Sequence, residues 1–414
     1  MQPITSGGDR AETGRGSILV PVLCGLVQML DGYDLSTIGL AVPSLVKAWG
    51  LPPAAFTQTF ALSSIGIMVG AMVAGPVADR FGRRPMLLVS VLLFGVFSLI
   101  SAWAPSLPVL VALRFLTGVG IGGAMPTTIA LTADYIPQRW RATVIMFMFC
   151  GNTMGGFIAG QVAAATIPVY SWHGIFVVGG VVPLVLLPLL FWLLPESRHF
   201  QAGAAVEPGN PVSGLFKGGL AATTLLLWLI FLLNLLDMYL ISYWLPTVLT
   251  LEGLQPADAA YSASMYAAGG VISTIALGVL LTRFRAEWVL ACNIALGVTC
   301  VAIVATQHLA GLPLYAVLFG AGGGMVGSQL GLNGFAAAAY PVALRSTGVG
   351  WALGVGRLGG IFGPILGGLL LSLGFSPLSI MLFVCGPGSV TFVSLLVLER
   401  VRRGLTQEGR LASA

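Results

Sequence analysis

A row of apolar stretches, each about as long as a bilayer is thick, constrains this chain more than any other feature. By hydropathy they fall near residues 18–45, 54–78, 86–104, 107–133, 142–167, 173–194, 220–250, 260–281, 288–307, 312–339, 346–373 and 378–398. A helix crossing roughly 30 Å of hydrocarbon needs roughly 20 mostly apolar residues, and these stretches meet that length. Charged residues make up 8% of the chain and hydrophobic ones 57%, whereas a soluble domain carries about 25% charged residues. Such a surface could not be covered for water. A β-barrel would show short alternating segments, and none appear. The expectation is an all-α membrane protein with twelve transmembrane helices.

An even number of spans puts both termini on one side, and the Lys/Arg bias says which. The tails, the linker and the loops on the tail side hold sixteen basic residues, including Arg10, Arg15, Arg283, Arg345 and Arg410, while the opposite face has Lys47 alone. Both termini are therefore expected in the cytoplasm of a cell with the chain in its inner (plasma) membrane. The net charge of +5 reflects this orientation, and no nucleic-acid partner is implied. Residues 1–17 are polar and lack the short apolar core of a secretory signal. Cys24, Cys150, Cys292, Cys300 and Cys385 all fall inside spans without metal-like spacing, so no disulfide, metal or cofactor is expected. No phosphate-binding P-loop is present, and the tails and linker are too short for a catalytic segment, so the chain is not expected to be an enzyme.

The chain also repeats itself. A shift of about 204 residues lays Gly118, Gly120 and Gly123 on Gly322, Gly324 and Gly327, and Arg141-Ala-Thr143 on Arg345-Ser-Thr347. With two residues of slippage, Asp31-Gly-Tyr33 falls on Asp237-Met-Tyr239. The break is a polar segment around Glu207–Pro211. The expected layout is a tail (1–17), a six-helix half (18–194), a linker (195–218), a second six-helix half (219–398) and a tail (399–414). Two joined six-helix halves resemble the major-facilitator fold. The loop Gly75-Pro-Val-Ala-Asp79-Arg80-Phe-Gly82-Arg83-Arg84 resembles that family's motif between spans 2 and 3. Gly75 permits close helix approach, Asp79 can face a helix N-terminus and Gly82 allows a tight turn. Arg83 and Arg84 can pair with Asp134, and with Arg141 these residues form a candidate conformational latch. The matching loop of the second half, Gly278 to Glu287, is degenerate, which puts a symmetric latch in doubt.

Ionisable groups inside a span cost at least ~2.5 kcal/mol each and mark function by default. Asp31 and Asp34 lie in mid-span 1, Asp237 in mid-span 7, Arg114 in span 4 and Arg357 in span 11. Two carboxylates close together in a low dielectric cannot both stay ionised cheaply, which suits the pair to carrying a proton; the alternative is a structural acid bonded to a neighbouring helix. Arg114 either pairs with such an acid or snorkels to the interface. Arg357 sits among glycines at mid-bilayer and needs an anion. That anion is supplied either by the protein, from Asp237 or a span-1 aspartate, or by a substrate carboxylate. Tyr239, Tyr243, Trp244 and Trp351 are candidate aromatic contacts, or simply core and interface rings. Asn152, Gln329 and Asn333 are polar candidates that could equally bond helix to helix.

Asp31-Gly-Tyr-Asp34 resembles the span-1 signature of the aromatic acid:proton symporters within the major facilitators. Arg114 to Tyr135, Met148–Gly151, Ser242–Thr247 and Tyr340–Arg357 resemble other blocks of that family. The resemblance implies a proton-coupled importer of a small aromatic carboxylate of the hydroxybenzoate, protocatechuate or gentisate type, acting as a monomer in the lipid bilayer. It implies that Asp31 and Asp34 serve coupling and that Arg357 engages substrate. Asp237 departs from the family pattern. A proton-driven exporter, or a carrier of another organic anion, would share the fold.

Overall fold

The protein is described by a computed structural model covering residues 16–196, 212–217, 219–341 and 344–407. Both expected tails, apart from residues 16–17 and 399–407, and most of the expected linker lie outside these residues. Twelve helical elements follow in order. The first six are α1 (Gly16–Trp49), α2 (Thr57–Phe81), α3 (Arg83–Ser101), α4 (Leu107–Tyr135), α5 (Gln138–Tyr170) and α6 (His173–Leu193). The second six are α7 (Ala221–Leu251), α8 (Pro256–Arg283), α9 (Ala286–Thr306), α10, α11 (Arg345–Ser372) and α12 (Pro377–Gln407). Among the described residues there is no strand. Eleven of the helices are uninterrupted and apolar enough to cross a membrane.

The twelfth, α10, is broken. It runs from Leu312 to Gly322, widens into a π-helical turn over Gly323–Gly327 and resumes from Ser328 to Ala339. Five glycines between Gly320 and Gly327 supply a backbone that neighbours can press against, and the turn displaces its own hydrogen bonds. Asn293 of α9 restores one of them, donating to Gly323 O at 2.8 Å and to Ser328 Oγ at 2.9 Å. π-Turns of this kind recur at functional sites.

Each half packs in the same way: α1 on α5, α2 on α4 and α3 on α6, then α7 on α11, α8 on α10 and α9 on α12. The glycines fix the register between the halves. A Cβ on Gly155 would strike Met29 O and Tyr33 N, and a Cβ on Gly359 would strike Leu232 O and Leu236 N. Met29 therefore matches Leu232, and the same register sets Asp34, not Asp31, against Asp237. The alignment drawn from sequence was three residues out in these helices. An apolar helix carries few marks of its own rotation.

The halves meet through α1 on α7, α2 on α11 and α5 on α8. The side chains that close this seam lie at the end away from the termini. Phe60 of α2 stacks on Tyr243 of α7 at 4.7 Å and meets Trp244 edge-on at 5.2 Å. Ser64 donates to Gly360 O at 3.2 Å and Gln161 to Ser264 Oγ at 2.7 Å. Large apolar side chains such as Met72, Val185, Trp192 and Ile272 are exposed on the outer surface, as a chain facing hydrocarbon requires.

Candidate functional site

Beneath the seam lies a cavity of about 170 Å³, walled by both halves. A cavity of about 150 Å³ can hold benzene, so this one suits a single-ring ligand. Its first-half wall carries Gln28, Asp31, Met125 and Asn152. Its second-half wall carries Tyr239, Tyr243, Tyr266, Gln329, Asn333 and Arg357. The cation and the tyrosines thus come from one side and Asp31 from the other, with amides on both.

Asp31 and Asp34 are three residues apart, yet they do not share an environment. Successive helical residues turn by about 100°, so the two side chains diverge by about 60°, enough to straddle the edge of the cavity. Asp31 lines the cavity, is 1% exposed and has no partner for either oxygen. Asp34 points into the first half. Arg114 Nη1 donates to its two oxygens at 3.1 and 3.3 Å, and Ser98 Oγ also donates to it. Arg114 is held in turn by Ser101 Oγ at 3.0 Å and Thr117 Oγ1 at 2.9 Å, with its guanidinium 4.9 Å from the Phe176 ring centre. The guanidinium is fully buried and does not snorkel. A small void touching both Asp34 and Arg114 is separated from the main cavity by Leu35, Ile67, Ile121 and Tyr243, which line both.

Arg357 projects into the cavity, with Nη2 2.7 Å from Met125 Sδ across the seam. Among the described residues no carboxylate lies within ion-pair distance of it. Neither Asp237 nor a span-1 aspartate is its resting counter-ion. Asp237 is fully buried but lies outside the cavity wall, on the side of α7 that faces Gly388 of α12. Trp244 is also turned away, donating to Pro364 O at 2.9 Å. Trp351 sits 45% exposed on the outer surface, stacked on Trp228 at 5.7 Å. For these three the helix rotation, invisible in an apolar run, keeps the side chain out of the cavity wall. Tyr239, Tyr243, Asn152, Gln329 and Asn333 do line the cavity. The amides there are linked: Asn234 donates to Gln329 Oε1 at 2.8 Å, Gln329 to Asn333 Oδ1 at 3.2 Å, and Asn152 to Gln28 O at 3.4 Å. Sequence reasoning missed Gln28, which donates to Thr128 Oγ1 at 2.8 Å and keeps its own Oε1 unpartnered at the cavity. Its position one turn before Asp31 was the available signal.

At the end bearing the termini, Gly82 (φ 99°) makes the turn into α3. Arg83 pairs with Asp134 at 2.6 Å. Glu196, at the end of α6, accepts from Arg83 N and Arg84 N at 2.9 and 3.1 Å and so caps α3. Arg84 donates to Phe191 O. Asp79 and Arg80 are exposed on the last turn of α2 and Gly75 is exposed above them, while Arg141 is half-buried at the start of α5 with its Nε unpartnered. The second half builds a counterpart from different residues. Glu399 accepts from Arg285 and Trp288, each at 3.2 Å, and from Arg403, while Arg402 pairs with Glu287 at 2.7 Å. The degenerate loop thus still contributes Arg285 and Glu287 to an acid–arginine cluster. Glu196 and Glu399 were missed.

Comparison with known proteins agrees with this architecture. Residues 24–327 and 227–412 match the Major Facilitator Superfamily. The gallate transporter of Pseudomonas putida is 38% identical, over 86% of each chain. The 4-hydroxybenzoate transporter PcaK of Pseudomonas aeruginosa is 34% identical, over 91% of each. Among solved structures, the nucleoside transporter NupG superposes with a TM-score of 0.74 at 14% identity, covering 93% of this chain and all of that one. The chain is a multi-pass membrane protein of the Major Facilitator Superfamily, and within it belongs with these aromatic-acid transporters.

Proposed function

We propose that the protein imports a hydroxylated, single-ring aromatic carboxylate together with protons, by alternating access, and leaves the substrate chemically unchanged. The observation that carries this reading is Arg357, a cation in a ring-sized cavity shared by both halves, with no carboxylate within ion-pair distance among the described residues. A permanently charged guanidinium in a low dielectric calls for an anion, and its planar fork suits the two oxygens of a carboxylate. Tyr239, Tyr243 and Met125 surround it with faces on which a ring can lie. Gln28, Asn152, Gln329 and Asn333 offer donors and acceptors for ring hydroxyls. The named substrates of the two relatives, gallate and 4-hydroxybenzoate, are ligands of this kind.

Asp31 is the proton carrier in this reading. It faces the cavity without a partner, whereas Asp34 is neutralised by Arg114 and ties α1 to α4. Carboxylate binding at Arg357 and protonation of Asp31 together remove the isolated charges that oppose closing the cavity. With the termini in the cytoplasm of the inner membrane, as the basic loops favour, the closed seam faces outside and the structure is inward-facing. The Asp79–Arg84 loop and Arg141 then lie at the open end, ready to meet the other half when the protein turns outward. The unit of transport is the monomer.

Uptake of radiolabelled gallate and 4-hydroxybenzoate by proteoliposomes under an inward proton gradient tests the proposal. Gradient-stimulated accumulation of at least one is expected. No stimulation by either would sink it, and stimulation by the opposite gradient would identify an exporter.

A further inference from the structure

Asp237 has no task in the mechanism above, and its surroundings set it apart. Its side chain is fully buried and neither carboxyl oxygen has a hydrogen-bond partner. It occupies in the second half the place that Asp34 holds in the first. A Cβ on Gly118 would strike Ser63 O and one on Gly322 would strike Tyr266 O, so α4 and α10 are in register and the counterpart of Arg114 is Leu318, buried and apolar. Towards α12 the neighbour is Gly388, where an added Cβ would lie 3.4 Å from Asp237 Oδ2, beside Val298 and Met325. Among the described residues no cation is within ion-pair distance. An ionised carboxylate in such a place costs several kcal/mol with nothing to offset it. Such surroundings favour the neutral, protonated form of the carboxyl.

Polar groups near Asp237 reach the cavity. Tyr266 of α8 and Cys385 of α12 are titratable groups within electrostatic reach of Asp237. Tyr266 lines the cavity, and its buried hydroxyl has no hydrogen-bond partner. It thus brings to the cavity a hydroxyl that can donate or accept, within electrostatic reach of Asp237. One turn earlier on α7, Asn234 connects through Gln329 to Asn333, and both of these line the cavity. Buried acids close to a central cavity serve proton movement in transporters.

We propose that Asp237 is a second proton-carrying site, so that one aromatic monocarboxylate crosses with two protons, one bound at Asp31 and one at Asp237. This rests on the proton-coupled import reading above. The charge balance follows directly: one negative charge and two positive ones move together, and each cycle carries one net positive charge inward.

Infrared difference spectra of the purified full chain test the proton itself without any substrate. At neutral pH the wild type is expected to show a protonated-carboxyl C=O band that Asp237→Asn lacks, and spectra that do not differ in this band would overturn the proposal. Proteoliposomes with a potassium–valinomycin diffusion potential test the cycling. At fixed pH gradient, an inside-negative potential of about 60 mV should raise wild-type accumulation of 4-hydroxybenzoate roughly tenfold, the factor for one net charge. Asp237→Asn should still accumulate under the pH gradient but ignore the potential. Wild-type accumulation indifferent to potential overturns the proposal whatever the variant does. If no aromatic acid enters wild-type vesicles, import has failed as a reading, and the infrared band still decides whether Asp237 holds a proton.

Discussion

The two halves place an aspartate at the same point of the same helix and then treat it in opposite ways. Asp34 meets Arg114, Ser98 and a shell of hydroxyls that hold the arginine still. Asp237 meets a glycine, and where the arginine would be there is Leu318. The cations are distributed unequally too. The first half consumes Arg114 in an internal pair, while the second leaves Arg357 unpaired at the cavity. The first half ties Asp34 to an arginine, and among the described residues the second leaves both Asp237 and Arg357 without an ion-pair partner.

The comparison is broken most directly at the ion pair. Arg114→Leu makes the first half resemble the second and leaves Asp34 buried without a counter-ion, at an expected cost of about 3–5 kcal/mol. Thermal unfolding in detergent should show a large loss of stability, partly restored by adding Asp34→Asn. A wild-type melting profile for Arg114→Leu would show that the pair braces nothing. Arg357→Lys tests the free cation. It keeps the charge but loses the planar two-point contact, so the apparent affinity for 4-hydroxybenzoate should fall about tenfold, or ~1.4 kcal/mol, with little change in melting. At the cap of α3, Glu196→Gln removes a charged acceptor from two backbone N–H groups and should cost on the order of 1 kcal/mol, read in the same melting assay. The smallest effect is expected at Asp237. If its carboxyl is neutral, Asp237→Asn replaces one neutral group by another of the same shape, and stability should change by less than about 1 kcal/mol. A loss as large as that of Arg114→Leu would mean that Asp237 is ionised and paired.

Much of this was legible in the chain itself. The spans, the two halves, the turn at Gly82 and the pairing of Arg83 with Asp134 follow from charge and glycine placed where hydrocarbon or a tight turn would forbid other choices. What stayed hidden was rotation. Helices such as α1 and α7 are apolar on nearly every side, so no polar stripe says which residues face inward. Asp31 and Asp34 could be placed near each other but not told apart, and Trp244 and Trp351 could be placed at a height but not on a face. The break in α10 was hidden for a different reason. A run of glycines is compatible with a regular helix, a kink or a π-turn, and it is Asn293, on another helix, that marks the choice.

The seam that closes the cavity carries one more consequence. Its ties are stacked rings and bonds between uncharged groups, Phe60 with Tyr243 and Trp244, Ser64 with Gly360, Gln161 with Ser264. Among the described residues no ion pair crosses it. Mobile ions screen charges and leave apolar contact almost untouched. The barrier should therefore be as tight in concentrated salt as in dilute, so an organism living through swings of osmolarity would keep the same leak rate through this gate.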